Sequence, residues 1–100
     1  MKTTIKEEAD KILVSLKGDL DTSAAQDTEK EFKPLMEVKD KNIVLDCSDL
    51  NYISSSGLRL FLSLLKSCKP NGSSLTLTNL NDNIKKVFSM TGFSSLFDIK

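Results

Sequence analysis

The most constraining feature of this sequence is a run of three aliphatic residues, Ile43, Val44 and Leu45, followed by Asp46 and Cys47. Apolar residues at every position, instead of at alternate ones, are typical of parallel strands that are covered on both faces. Parallel neighbours need a long crossover between them, which is usually a helix. The run therefore predicts a sheet whose strands alternate with helices.

Other strands are predicted before and after this segment. Residues 3–8 and 11–17 flank a plausible turn and have alternating apolar positions, which predicts an antiparallel hairpin at the start of the chain. Residues 42–47 contain the aliphatic run, and residues 74–78 alternate leucine with threonine. Each of these two segments is predicted to be a strand, and a short last strand is expected at the end of the chain.

Three helices are predicted between or after these strands. Ser23 with Gln26 forms a capping-box pattern and marks the start of the first helix. The second helix covers about residues 56–69, where a Pro-Asn-Gly sequence ends it, and the third begins at Asn81 or Asp82. The order β-β-α-β-α-β-α-β predicts an α/β fold with a mixed sheet and helical crossovers.

Length and charge narrow the classes of function. The 100 residues are enough for one domain, residues 1–100, and too few for two. The 14 basic and 14 acidic residues cancel, so nucleic-acid binding, which needs clustered positive charge, is not indicated. The longest apolar run, residues 58–65, contains Arg59 and Ser63 and falls well short of the roughly 20 apolar residues of a membrane helix. The N-terminus has no apolar segment typical of a signal peptide, so the expected location is the cytoplasm.

Chemistry that depends on histidine is excluded, because the sequence has none. Cys47 and Cys68 are too few and too far apart for a zinc site, and both are expected to be core thiols. No cofactor is expected. A minor enzymatic hypothesis is a Mg²⁺ site that uses the carboxylates of Asp19, Asp21, Asp46 and Asp49. Turns and helix caps also favour Asp, so we expect that simpler role and no catalytic residue.

The predicted second helix has a wide apolar arc. At about 100° per residue, its core stripe consists of Leu58, Phe61, Leu62 and Leu65. Leu60 and Leu64 lie at the margin of this stripe, toward the polar side that carries Arg59. Two interpretations remain open for the two marginal leucines, either a wide surface that faces the core or a partly exposed docking patch for another protein.

Three serines and a glycine, residues 54–57, precede the second helix. A serine hydroxyl can cap a helix by accepting a hydrogen bond from a free N–H group, but one serine is enough for that. Gly57 allows a close approach of the backbone. A helix N-terminus favours an anion, and a phosphate would add a charge of about −1.5 to −2 there. The segment is therefore either a cap alone or a cap combined with a phosphorylation switch.

The segment 46–59 resembles the signature of the anti-sigma factor antagonist family, whose fold is the STAS domain. It reads DCSDLNYISSSGLR; the family pattern is a strand ending in Asp, then DL-x-[YF]-[IM], then [DS]-S-[STA]-G-L at a helix start. The sequence GDLD at 18–21, followed by Ser23 and Ala24, is similar to the family's loop between the second strand and the first helix. The resemblance covers nearly the whole chain. It implies a sheet of four to five strands with flanking helices and no catalytic activity.

The resemblance also implies a partner switch. In regulatory members of the family, the unphosphorylated protein binds an anti-sigma factor that is also a serine kinase, and this partner releases its sigma factor. The kinase then phosphorylates the antagonist, and a metal-dependent phosphatase of the PP2C type resets it. The acceptor is the serine two residues before the glycine, which is Ser55 here, with Ser54 and Ser56 as alternatives. The chain is expected to be a monomer or a weak dimer.

A partner-binding surface around the acceptor follows from the resemblance and the helical pattern. Its expected members are Asp19, Asp21, Ser54, Ser56, Gly57, Leu58, Arg59, Leu60 and Leu64. The chain departs from the best-studied family members at Ser54, where they have Asp, and at Arg59, where a small residue is common. An alternative function is a STAS scaffold subunit of an ABC-type lipid-transport complex, which would bind an ATPase subunit constantly and would not be phosphorylated.

Overall fold

The polypeptide forms a five-stranded sheet and three α-helices. In a computed structural model that describes residues 1–100, the strands are β1 (Lys2–Glu7), β2 (Lys11–Leu20), β3 (Asn42–Ile53), β4 (Ser74–Thr78) and β5 (Asp98–Ile99). The helices are α1 (Thr22–Phe32), α2 (Ser55–Cys68) and α3 (Asp82–Met90), with short 3₁₀ turns at Pro34–Glu37 and Phe93–Ser95. None of the helices has the length and hydrophobicity that crossing a bilayer requires. The predicted α/β fold with a mixed sheet is confirmed.

The strands lie side by side in the order of the chain, β1-β2-β3-β4-β5. β1 and β2 are antiparallel, whereas the pairs β2–β3, β3–β4 and β4–β5 are parallel. A helix joins each parallel pair, and every crossover steps in the same direction across the sheet. Because such crossovers are right-handed, all three helices lie on the same face.

The hydrophobic core lies between that face and the helices. Ile43 of β3 is the register partner of Leu75 in β4, and both side chains are buried. A row of aromatic rings links the three helices: the ring centroids of Phe32 and Phe61 are 6.4 Å apart, and those of Phe61 and Phe88 are 6.3 Å apart. The helices therefore share one core instead of packing on the sheet separately.

The opposite face of β3 is less covered than the sequence indicated. Ile43 and Leu45 are fully buried, but Val44 between them is half-buried. The prediction that this strand is covered on both faces is wrong, because all the helices lie on the side of Ile43 and Leu45.

The start of α1 also differs from the prediction. Its N-cap is Asp21, whose carboxylate accepts a hydrogen bond from the Ala24 N–H at 2.8 Å, and the helix begins at Thr22. β2 remains paired with β3 up to Leu20, so Asp21 is the first residue free to turn. Ser23 is therefore inside the first turn and is not the cap.

β3 is longer than predicted, because it continues to Ile53 instead of ending at Cys47. The extension carries the side chains of Leu50 and Ile53 into the core and brings the end of β3 beside the end of β2. Two other starts are close to the prediction: α2 begins at Ser55, one residue early, and Asn81 caps α3.

Both cysteines are free and buried, as the sequence predicted. Burial, with a smaller contribution from the charge of Asp46, raises the pKa of the Cys47 thiol to about 12. Burial also raises the pKa of the Cys68 thiol. Since the thiolate is the reactive form of cysteine, both thiols are inert packing groups at neutral pH.

Helix α2 approaches the sheet closely at Gly57. A Cβ atom at this position would lie 2.8 Å from Cγ1 of Ile53 and 2.9 Å from Cγ of Leu20. These distances are shorter than ordinary contacts between carbon atoms, which lie near 3.5–4.0 Å. The glycine therefore allows the close approach that the sequence predicted.

We predict that Gly57→Ala lowers the free energy of unfolding by about 1–3 kcal/mol, because overpacking outweighs the higher helix propensity of alanine. Chemical denaturation measures this change. The control is Ser63→Ala on the exposed side of the same helix, which should change the free energy by less than about 0.5 kcal/mol. A Gly57→Ala protein as stable as the wild type would contradict the close approach.

Candidate functional site

The serines lie where two parallel strands end and two helices begin. Leu20, the last residue of β2, is the register partner of Ile53, the last residue of β3. α1 and α2 begin directly after these strand ends. Two helix N-termini with free N–H groups therefore lie at one edge of the sheet, where open α/β sheets usually place their functional loops.

Ser54 is the structural member of the three serines. It is only 8% exposed, and its Oγ accepts a hydrogen bond from the Gly57 N–H at 3.1 Å, which caps α2. The same hydroxyl donates to the carbonyl oxygen of Leu20 at 2.9 Å. Ser54 was predicted as an alternative acceptor and as part of the partner surface. Its burial and its fully used hydroxyl contradict both predictions.

Ser55 is exposed, and its hydroxyl takes part in none of the hydrogen bonds of this turn. As the first residue of α2 it lies where the helix macrodipole favours a negative charge. Ser56 is half-buried, and its Oγ accepts a hydrogen bond from the guanidinium of Arg59 at 3.3 Å. Ser55 is therefore the one serine of the three that combines exposure with an unengaged hydroxyl.

The predicted docking patch on α2 is not exposed. Leu60 and Leu64 are 6% and 0% exposed, and Leu58 and Gly57 are buried as well. Leu60 lines a cavity together with Ala25 of α1, so α1 packs against this side of α2. Of the two interpretations left open for these leucines, the wide surface that faces the core is confirmed and the docking patch is wrong, because α1 covers the margin of the apolar arc. The leucines of α2 that remain half-buried are instead Leu62 and Leu65.

The two acidic residues predicted near the serines, Asp19 and Asp21, lie at the end of β2, and both are exposed. Both line a cavity of about 380 Å³ beside α1, which Asp27 and Glu31 of that helix also line. None of the side chains that line this cavity is basic. Asp27 and Glu31 were not predicted as members of this site, although their i, i+4 spacing places them on one helix face. This side of the edge is strongly acidic.

A second cavity, of about 190 Å³, lies between α1 and α2. Gln26 and Glu29 of α1 line it from one side, and Ser56 and Arg59 of α2 line it from the other. Arg59 is the only arginine of the chain, and its side chain is exposed. The edge thus has an acidic cavity on one side of α1 and a guanidinium on the other.

The four aspartates of the Mg²⁺ hypothesis do not form a metal site. The carboxylate of Asp46 accepts hydrogen bonds from Asn79 Nδ2 and from the Ser48 N–H, both at 3.1 Å. The Asn79 bond is the main reason why the pKa of Asp46 is below its usual value. The chain has no group of three or more acidic or cysteine side chains that could hold a metal ion. The geometry therefore gives this hypothesis no support.

We expect Ser54→Ala to lower the free energy of unfolding by about 1–3 kcal/mol, because it removes both the cap of α2 and the hydrogen bond to the Leu20 carbonyl. Ser55→Ala, the matched control one residue away, should stay within about 0.5 kcal/mol of the wild type. Urea denaturation of both proteins tests the division of roles, and equal losses of stability in the two would contradict it.

The solved structures of SpoIIAA have the same fold. The unphosphorylated form of this anti-sigma factor antagonist matches with a TM-score of 0.76 and 17% identity, over 99% of this chain and 87% of that one. The phosphorylated form of the Bacillus cell fate determinant SpoIIAA matches with a TM-score of 0.75 and 18% identity, over 99% of this chain and 91% of that one. At these identities the likeness concerns the fold alone.

The sequence is also similar to that of a bacterial anti-sigma factor antagonist. The anti-sigma-B factor antagonist of Bacillus subtilis is 30% identical over 95 residues, which cover 95% of this chain and 86% of that protein. The profile of the STAS domain matches residues 2–100. Together with the five-stranded sheet, these matches show that the chain belongs to the STAS domain family.

Proposed function

We propose that the protein is an anti-sigma factor antagonist that is switched off by phosphorylation of Ser55. In its unphosphorylated form it binds an anti-sigma factor that is also a serine kinase, and this partner releases a sigma factor. The observation that carries the proposal is an exposed, unengaged hydroxyl on Ser55 directly after the buried, fully bonded Ser54. The name of the Bacillus subtilis relative supports the antagonist role.

The phosphoryl transfer requires only the nucleophilic hydroxyl from this chain, because the kinase provides the ATP and the catalytic base. The Oγ atom of Ser55 attacks the γ-phosphorus of ATP in the kinase, and the bond from that phosphorus to the oxygen bridging it to the β-phosphate breaks. ADP leaves, and the serine proton passes to the catalytic base of the kinase. A PP2C-type phosphatase later hydrolyses the phosphoester, which restores serine and releases inorganic phosphate. The chain contributes an accessible hydroxyl at a helix start that Ser54 bonds to the carbonyl of Leu20.

The phosphate would change binding more than folding. Ser55 makes no side-chain hydrogen bond that would be lost, and a helix N-terminus tolerates negative charge. A partner surface fitted to a neutral serine would have to bury the new charge, and an unpaired buried ion costs several kcal/mol. Phosphorylation therefore dissociates the complex while the fold is retained.

The partner surface comprises the accessible residues around Ser55. From the predicted set, Asp19, Asp21 and Arg59 are exposed, and Ser56 is half-buried. Tyr52, which the sequence analysis did not place on this surface, is 52% exposed and is the register partner of Asp19. Exposed tyrosines often become the buried anchors of protein interfaces, so Tyr52 extends the surface along the end of β3.

The test is a pull-down from the native cell with the wild type, Ser55→Ala and Ser55→Asp side by side. We expect the wild type and Ser55→Ala to retain an anti-sigma factor kinase, and Ser55→Asp to lose it while its melting temperature shifts by only a few degrees, since an acidic residue suits a helix start. With ATP, the captured kinase should phosphorylate the wild type and leave Ser55→Ala unmodified.

Two results would contradict the proposal. One is the absence of phosphate on Ser55 in a wild-type protein that also binds no kinase. The other is an ATPase subunit that co-purifies equally with all three proteins, which would favour the scaffold function in a lipid-transport complex.

A further inference from the structure

We propose that Arg59 binds the phosphate on Ser55 within the same helix, so that phosphorylation withdraws the guanidinium from the partner surface. This inference rests on the proposed acceptor site and adds a second effect to the switch. Arg59 is then a positioning residue of the phosphorylated form.

The helix geometry places the two side chains together. Arg59 follows Ser55 at the i, i+4 spacing within α2, so both lie on the same face of the helix. Side chains of a helix point back toward its N-terminus. The guanidinium already lies beside the first turn, because its Nη2 donates to the Oγ of Ser56 at 3.3 Å. A phosphate on Ser55 would therefore lie within reach of Arg59 without any movement of the backbone.

The guanidinium is available for a stronger acceptor. Its one side-chain hydrogen bond is a long one to a neutral hydroxyl. Most of its N–H donors are free, and they match a phosphate in a bidentate arrangement, which is much stronger than a neutral hydrogen bond. Glu29 is the other charged residue that lines the cavity between α1 and α2, and a dianionic phosphate on the same helix outcompetes a single carboxylate across it.

The order of charges along the helix also favours the pair. An acidic group one turn before a basic group agrees with the helix macrodipole, and the reverse order is weaker. The first turns of α2 carry one charged side chain, the cation of Arg59. With a phosphate of about −1.5 to −2, the start of α2 changes from net positive to net negative, and its cation is no longer free to contact an acidic group of a partner.

The test measures the second pKa of a phosphoserine installed at position 55 during translation, by phosphorus NMR as a function of pH. The matched proteins are the otherwise wild-type chain, Arg59→Gln, Arg59→Lys and, as the control, Lys66→Gln, which removes an exposed cation from a distant turn of the same helix. Because exposed ion pairs are weak, we expect this pKa to be about 0.2–0.7 lower in the otherwise wild-type chain than in the Arg59→Gln variant. Arg59→Lys should lie between them, and Lys66→Gln should match the wild type.

Disappearance of the difference near 1 M salt, where the Debye length is about 3 Å, supports an ion pair. Equal pKa values for the wild type and Arg59→Gln would overturn the inference, and so would an equal rise in Lys66→Gln, which would mark a general effect of helix charge. Since no kinase is used, a negative result here leaves the proposed function standing. The proposed function would instead be contradicted by a kinase assay in which the wild type is neither bound nor phosphorylated.

Discussion

The carbonyl group of Leu20 joins the end of β2 to the start of α2 at the candidate functional site. It accepts two hydrogen bonds from Ser54, one from the backbone N–H and one from Oγ, both at 2.9 Å. These bonds connect the end of β2 to the start of α2, although β3 lies between them in the sequence. The side chain of Leu20 also limits how closely α2 approaches at Gly57. One residue therefore fixes both the position of the helix start and its distance from the sheet.

Features of the fold that depend on local patterns could be predicted from the sequence. Alternating apolar residues, a Pro-Asn-Gly breaker and serines before an apolar helix indicated the correct order of strands and helices. The start of α1 could not be predicted, because Asp21 and Ser23 are both good N-caps. The choice depends on the pairing of β2 with β3 up to Leu20, which is a contact between distant parts of the chain.

The candidate site also depends on contacts between distant parts of the chain, which local sequence patterns do not predict. A single helix sequence reveals the direction of the apolar stripe of α2, but not which of its margins a neighbour covers. α1 covers Leu60, which the sequence alone could not distinguish from an exposed contact. The acidic cavity was missed for a related reason, since Asp19 belongs to β2 and Glu31 to α1, and they share a cavity only once that helix has packed.

The adjacent serines divide two roles between them, the structural capping of a helix and the presentation of an available hydroxyl. Ser54 is committed to the architecture, whereas the hydroxyl of Ser55 is used by no contact within the chain. The phosphate proposed for Ser55 would be added and removed without breaking a hydrogen bond of this turn. No backbone rearrangement of the kind that takes microseconds to seconds in many regulated proteins would then be needed. The response time of a switch at this position is then set by enzyme turnover and diffusion. Under this proposal, repeated cycling would also avoid partly unfolded states, whose exposed strand edges promote aggregation.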